Sequence, residues 1–401
     1  MKKNILYCES NTDGTIGGSF FSLLFLVQNI DKSKYNPVVV FYSENSLIPK
    51  YRESGIETIV ITLPKPVHFR KISSSNPVFK LLNLFISIVQ SGVNFFKFFI
   101  FQSFRYAYFL KKRNISLVHL NNSIIRNHDW MMASWITGIK CITHERGINT
   151  RYSKLSRFFA KKLKAVVSIS NAVRENMLDK GLNTLNYVTI YNGLDPDQIH
   201  TEGRSVELAN EFGLKKSNQV IGVVGNIKEW KGQESVIRAT KIIKEKYPDI
   251  KCLIVGDISK NDEYYANKLY RLVEEFDLSE NVIFTGYQNN VANFLELMDV
   301  VIHSSIHPEP FGRVILEAMA MRKPIVGTRY GAIPEIIVEG QTGFMFTPDD
   351  ENDLANGVLK CLNDPELAEK LGQQGYDRLV SNFHIKFNVS KTEQLYKELI
   401  G

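Results

Sequence analysis

Acid is missing from one long stretch of this chain. Between Thr58 and His128 there is no Asp or Glu, whereas Lys65, Arg70, Lys71, Lys80, Lys97 and Arg105 all fall there. Cysteine is also scarce. Cys8, Cys141, Cys252 and Cys361 lie far apart, which excludes a Cys-rich metal centre and a dense disulfide framework. Buried, reduced thiols are the expectation, as in a reducing cytoplasm. No G-x-G-x-x-G with a downstream acid is present, so a dinucleotide oxidoreductase is excluded. The N-terminal residues run directly into a short strand without an apolar core of signal-peptide length. The most apolar stretch, Leu81 to Phe96, contains Asn83, Gln90, Gly92 and Asn94. That is too interrupted for a spanning helix of about 20 apolar residues, and an interfacial or packed segment is expected instead.

What is present fits a soluble globular chain of two domains. The 401 residues are 44% hydrophobic and carry a net charge of +7. Short β-rich runs alternate with helical stretches, which predicts parallel sheets with crossover helices. Seven strands are expected before the turn-forming cluster Tyr191–Pro196 and five after it. The expected division is 1–196 and 197–384, with a last helix at about 385–401 crossing back to the first domain. Ligands in such sheets sit outside the carboxyl ends of the strands, so the cleft between the two sheets is the expected site.

The stretch from His307 to Ala320 carries the most chemistry. Glu309 sits in a Pro-flanked loop, and Glu317 lies inside an otherwise apolar helix. A buried carboxylate needs partners, and ligand hydroxyls would serve. Phe311, Gly312, Arg313 and Val314 fall at the helix start, where free N–H groups and the helix dipole attract phosphate. Spacing alone leaves open a helix whose two acids simply face water.

Glu309 to Glu317 resembles the E-x7-E motif of the retaining GT-B glycosyltransferases of the GT4 type. Gly225–Gln233, with Lys231, is similar to that family's phosphate loop. Pro324–Thr328, Gly331–Glu335 and Gly340–Gly343 match its donor-domain pattern, and Gly17-Gly18-Ser19, Ser168–Val173 and Asn192–Asp195 match its first half. The resemblance implies an α/β fold of two Rossmann-like, doubly wound domains facing across a cleft: an acceptor domain first, a nucleotide-sugar domain second. It implies that Glu317 accepts from ribose hydroxyls, that Glu309 contacts the donor sugar, and that Lys231 neutralises the diphosphate. Backbone amides at Phe311–Val314 would cradle the distal phosphate, and Gly17 and Gly18 would approach it closely. The base would pack near Gly286 and Tyr287. Catalysis would involve Glu309, Lys231 and His144, without a metal or a cofactor beyond the UDP- or GDP-linked co-substrate. No Asp-x-Asp is positioned for a divalent ion.

Two departures stand out. Asn226 occupies a place where the family commonly has Arg. Asn121 follows the strand Ser116–Leu120 where many relatives have a functional His nearby, so Asn121 is expected to line the cleft as a polar contact. Arg126 and Arg146 are further candidates for the acceptor, and His144 for the sugar. The acid-free stretch and Arg151–Lys164 together read as a basic, aromatic surface for an anionic membrane, against the alternative of two crossover helices with solvated basic faces. Nucleic acid is not indicated, since no recognised motif is visible. The expected role is a retaining transferase passing sugar to a glycan or lipid-linked acceptor in envelope polysaccharide synthesis, at the inner face of the cell membrane. An epimerase of the same shape and a catalytically silent nucleotide-sugar-binding partner are the alternatives.

Overall fold

The computed structural model describes residues 2–12, 16–70, 72 and 76–401. The chain forms two compact units. The first comprises Met1–Ile169, Arg174–Ile190 and Val389–Gly401; the second comprises Ser170–Val173 and Tyr191–Asn388. The seam therefore lies at Ile190/Tyr191 rather than at 196/197, and the last helix, Ile385–Ile400, changes unit at Val389.

The first unit holds a seven-stranded sheet: β1 Lys3–Cys8, β2 Tyr35–Phe41, β3 Glu57–Val60, β4 Ile115–Leu120, β5 Lys140–Glu145, β6 Ala165–Ser168 and β7 Tyr187–Thr189. Their order is β3-β2-β1-β4-β5-β6-β7, and every pairing is parallel. Central strands of such a sheet are covered on both faces, so they read as unbroken apolar runs. Ile5, Leu6, Tyr7 and Cys8 of β1 are fully buried accordingly. The end of the chain is tied in by polar contacts as well as packing. The Tyr396 hydroxyl donates to the Tyr7 hydroxyl at 2.9 Å, and Glu393 accepts from the Asp31 N–H at 2.6 Å.

The second unit holds six strands: β8 Val220–Val224, β9 Lys251–Val255, β10 Val282–Gly286, β11 Val300–His303, β12 Ile325–Thr328 and β13 Phe344–Phe346. Their order is β10-β9-β8-β11-β12-β13, again all parallel. Five strands were expected here. The sixth, β13, is only three residues long and follows a Gly-rich turn, so it lacks a run from which periodicity can be read. All four cysteines are buried and unpaired.

Strand order reverses between β1 and β4 in the first unit and between β8 and β11 in the second. In open α/β sheets these switch points leave a crevice beyond the strand ends. Both sets of candidate residues collect there.

Candidate active site

In the second unit, the chain leaving β8 turns through Gly225 and Asn226 and reaches a single helical turn, Glu229–Lys231. Gly232 follows with a φ of +67°, and a β-carbon there would stand 2.1 Å from the Ser304 carbonyl oxygen. Only glycine permits that approach. It seats the loop against the end of β11, where the Ser304 hydroxyl donates to the Lys231 carbonyl and the Ile306 N–H to the Trp230 carbonyl. The Lys231 ammonium is thereby aimed at Glu309, 2.8 Å from its Oε2, with the Trp230 ring 4.2 Å beneath it.

Glu309 is held equally firmly. Its backbone is approached by Gly331, which has a φ of +62° and whose β-carbon would lie 2.4 Å from the Glu309 carbonyl oxygen. Ser305 donates to the carboxylate at 2.8 Å. The Ser170 hydroxyl donates to the next carbonyl, that of Pro310, at 2.7 Å. Burial raises the Glu309 pKa, but the charge of Lys231, helped by the neighbouring His303 ring and the hydrogen bonds of Lys231 and Ser305, outweighs it. The acid is held below its ordinary range.

His303 ends β11 with its Nε2 3.7 Å from Glu309. Among the described residues neither ring nitrogen has a hydrogen-bond partner, although both are buried. Burial pulls its pKa down to about 4 against the pull of Glu309, so it stands neutral at pH 7. The sequence offered no signal for this residue beyond its neighbourhood.

The helix Arg313–Ala320 begins beside this pair. Gly312 is its cap residue, in the left-handed region, and supplies no capping side chain. Phe311 is buried beside Tyr191 and Phe383, so that its backbone rather than its ring is what it can offer a ligand. Glu317 is half-buried and pairs with Arg313 one turn earlier, at 3.2 Å. Neither acid is turned out to bulk solvent. Asn226 is exposed, and its carbonyl accepts from Gln233. Gly286 ends the edge strand β10 with a φ of +68°, and Tyr287 beyond it is largely exposed.

In the first unit the candidates gather at the β1/β4 switch point, around a residue the sequence reading missed. Glu9, just past β1, is 1% exposed. Its two oxygens accept from Asn121 at 2.6 Å and Asn122 at 2.7 Å. Burial raises its pKa; Asn122, Asn121 and Arg146 oppose the rise without cancelling it. Arg146 donates to both the carbonyl and the side-chain oxygen of Asn121, at 2.7 and 2.8 Å. Asn121 is thus a buried pivot between Glu9 and Arg146. It was expected to line the cleft as a polar contact; within the first unit it is buried, its amide engaged by Glu9, the Ser19 carbonyl and Arg146.

His144 is corrected in the same way. It is buried, stacked on His119 with ring centroids 4.7 Å apart, and the two share a 2.7 Å hydrogen bond. His119 bonds in turn to Tyr396, and Tyr396 to Tyr7. Burial and the nearby Arg146 push His119 down to about 3 and His144 well below its usual value. His144 is a neutral member of a buried chain rather than a residue at a site mouth. Arg126 is exposed on the loop after β4. Gly17 precedes the helix Gly18–Asn29 in extended conformation, and a β-carbon there would meet nothing within 4 Å among the described residues.

Residues 206–378 match the family described as "Glycosyl transferases group 1", and residues 45–198 match "Glycosyltransferase Family 4". The chain belongs to the GT4-type glycosyltransferases. Among curated relatives, this GT4-type chain is 27% identical over 300 residues to N-acetyl-alpha-D-glucosaminyl L-malate synthase of Bacillus anthracis, covering 72% of this chain and 76% of that enzyme. It is 25% identical over 240 residues to the capsular polysaccharide biosynthesis glycosyltransferase CapM of Staphylococcus aureus, covering 59% and 62% of the two chains. Among solved structures, the Anabaena protein HepE in complex with UDP superposes with a TM-score of 0.79 at 20% identity, covering 99% and 100%. A glycosyltransferase from Rickettsia africae gives 0.80 at 22% identity, covering 99% and 98%. These neighbours establish the fold: two parallel-sheet, Rossmann-like α/β units of the GT-B class.

Proposed function

We propose that this GT4-type chain moves a sugar from a UDP- or GDP-linked donor to a membrane-associated glycan or lipid-linked acceptor, with retention of configuration and without a metal. One observation carries the reading: the Lys231–Glu309 pair at the β8/β11 switch point, beside a helix start without a side-chain cap. The leaving nucleoside diphosphate needs charge compensation as the glycosidic bond breaks. An ammonium and a helix N-terminus supply it. Glu309, held ionised, steadies positive charge at the anomeric carbon, and Glu317 accepts from the ribose. The departing phosphate takes the acceptor's proton on the same face, so no enzyme nucleophile is required.

The relatives' names point the same way, one being a capsular polysaccharide biosynthesis enzyme and one structural neighbour holding UDP and glucose. We place the enzyme at the inner face of the cell membrane, in envelope polysaccharide synthesis.

The experiment is a thermal-shift screen of nucleotide-sugars followed by donor hydrolysis without acceptor. Ligands that bind only the folded state raise its apparent stability. Stabilisation by one UDP- or GDP-sugar, with slow hydrolysis that Glu309→Ala abolishes, is the expected result. Stabilisation without any turnover would favour a silent nucleotide-sugar-binding partner, the reading that Asn226 at the family's Arg position supports. Interconversion of two donor sugars would favour an epimerase.

A further inference from the structure

The helix Pro77–Phe95 continues through a wider π-helical stretch, Phe96–Phe101, into the helix Gln102–Lys112. Its inner end is anchored: Tyr106, Ala107 and Leu110 are buried, and Tyr106 stacks on Trp130 at 3.9 Å. Its outer part is bare. Leu81 is 70% exposed and Phe85 63%, and Leu84, Ile88, Phe95 and Phe96 are exposed too. Among the described residues, Pro77–Lys112 is the one helix long and apolar enough to cross a membrane by length and composition.

The polar residues of the outer part are not scattered. Lys80, Asn83, Ser87, Gln90, Asn94 and Lys97 recur at steps of three and four, which makes one stripe along the helix. The segment 65–70, with Ile72 beyond it, lies antiparallel along that stripe as a strap. Asn94 bonds both the N–H and the carbonyl of Val67, at 2.8 and 3.0 Å. Gln90 accepts from the Phe69 N–H at 2.8 Å. Asn83 bonds both the N–H and the carbonyl of Ile72, at 2.9 and 2.8 Å. Lys97 donates to the Lys65 carbonyl at 2.9 Å. The fit is metric: Gln90 to Asn94 is four helical steps, about 6 Å, and Val67 to Phe69 is two extended steps, about 7 Å.

A strap in water would need none of these amides, because water satisfies exposed backbone groups. Inside hydrocarbon they have no other partner, and each orphan is costly. Asn83, Gln90, Asn94 and Lys97 turn toward the strap, and Ser87 and Ser91 bond back to their own helix, so the rest of the surface is mostly apolar. Lys65, Arg70, Lys80 and Lys97 sit along the helix and strap with no acid between Thr58 and His128, the complement of an anionic surface. At the base, Phe95, Phe99, Phe159, Phe158 and Trp135 form a chain of ring contacts, with Lys162 over the last two rings. Aromatic rings of this kind favour the headgroup layer.

We infer that the helix 77–101, with the strap 65–70 laid along it, embeds in an anionic phospholipid bilayer, with its amide stripe standing in for water along the strap. The inference deepens the membrane-acceptor reading and is separable from it, since partition is measured without sugar transfer. The test is flotation of the full chain with vesicles of phosphatidylcholine, alone or with phosphatidylglycerol. Binding is expected to strengthen on the order of tenfold or more with the anionic lipid. L81S/F85S/I88S is expected to abolish it while leaving stabilisation by nucleotide-sugars unchanged. N83L/N94L is the decisive variant. It adds apolar surface, yet partition should fall on the order of tenfold because strap groups lose their partners; tighter binding would overturn the inference. Phe85→Trp should be quenched by brominated lipid beyond the wild-type signal, and no added quenching counts against it. A vesicle-indifferent protein whose dimerisation buries Phe85 would overturn it in favour of a second copy.

Discussion

Removing the negative partner of Lys231 should tighten nucleotide binding while stopping transfer. Glu309 and Lys231 stand 2.8 Å apart. Coulomb's law gives that separation about 1.5 kcal/mol in bulk water and about 6 kcal/mol at an effective dielectric of about 20. The pair is half-buried, so the lower figure is the cautious one. A diphosphate arriving at the helix start must share this ammonium with Glu309 and also approach the carboxylate's own charge. Glu309→Gln keeps the shape and removes the competitor. Even about 1.5 kcal/mol corresponds to roughly tenfold in Kd. The expected result is UDP or GDP binding about tenfold tighter by calorimetry, with transfer and donor hydrolysis lost. Salt should narrow the difference, since the site is not sealed from solvent. Binding unchanged or weakened in Glu309→Gln would refute the reasoning, because Lys231 would then not be shared between acid and phosphate.

Further outcomes concern stability. Gly232→Ala forces a β-carbon toward the Ser304 carbonyl at a positive φ, and should cost about 1–3 kcal/mol, read as a lower urea midpoint together with weaker nucleotide binding. Tyr396→Phe leaves buried His119 and Tyr7 without their shared partner, so a loss of about 1–3 kcal/mol is expected; an unchanged midpoint would remove the last helix from the account of the first unit's stability. Burial raises the Glu145 pKa to about 7 against hydrogen bonds from Ser123, Ile124 and Asn149. A raised folded-state pKa contributes stability below the unfolded value near 4.5, and that stability is lost as pH rises through about 7. The stability of wild type relative to Glu145→Gln should therefore fall by on the order of 3 kcal/mol across that window, and a flat difference would show the acid to be unperturbed.

Much of the donor-side site was legible because its signals are local. The eight-residue step from Glu309 to Glu317 and the Gly-flanked Lys231 are short patterns whose chemistry follows from a helix start and a turn. Glu9 was not legible for the opposite reason. It is one acid after an ordinary strand, and it matters because β4 pairs beside β1 and brings Asn121 and Asn122 onto it. His303 ends an apolar run and reads as packing until Glu309 is seen next to it. The stretch Leu81–Phe96 was read as too interrupted to span, and its polar residues were counted singly. Only when their bonds to Val67, Phe69 and Ile72 are seen do Asn83, Gln90 and Asn94 become one stripe.

The sequence by itself determined most strands and helices, though not β13, and that a helix start of the kind that attracts phosphate lies beside two acids. Apolar runs, turn residues and motif spacing act over a few residues and need no partner to be read. Only the tertiary structure decided which strands are neighbours. A buried parallel strand is apolar on both faces and carries no mark of which other strand lies against it. That order brings Lys231 to Glu309 across 78 positions of chain. It also buries Asn121 and His144, which the sequence had assigned to the cleft.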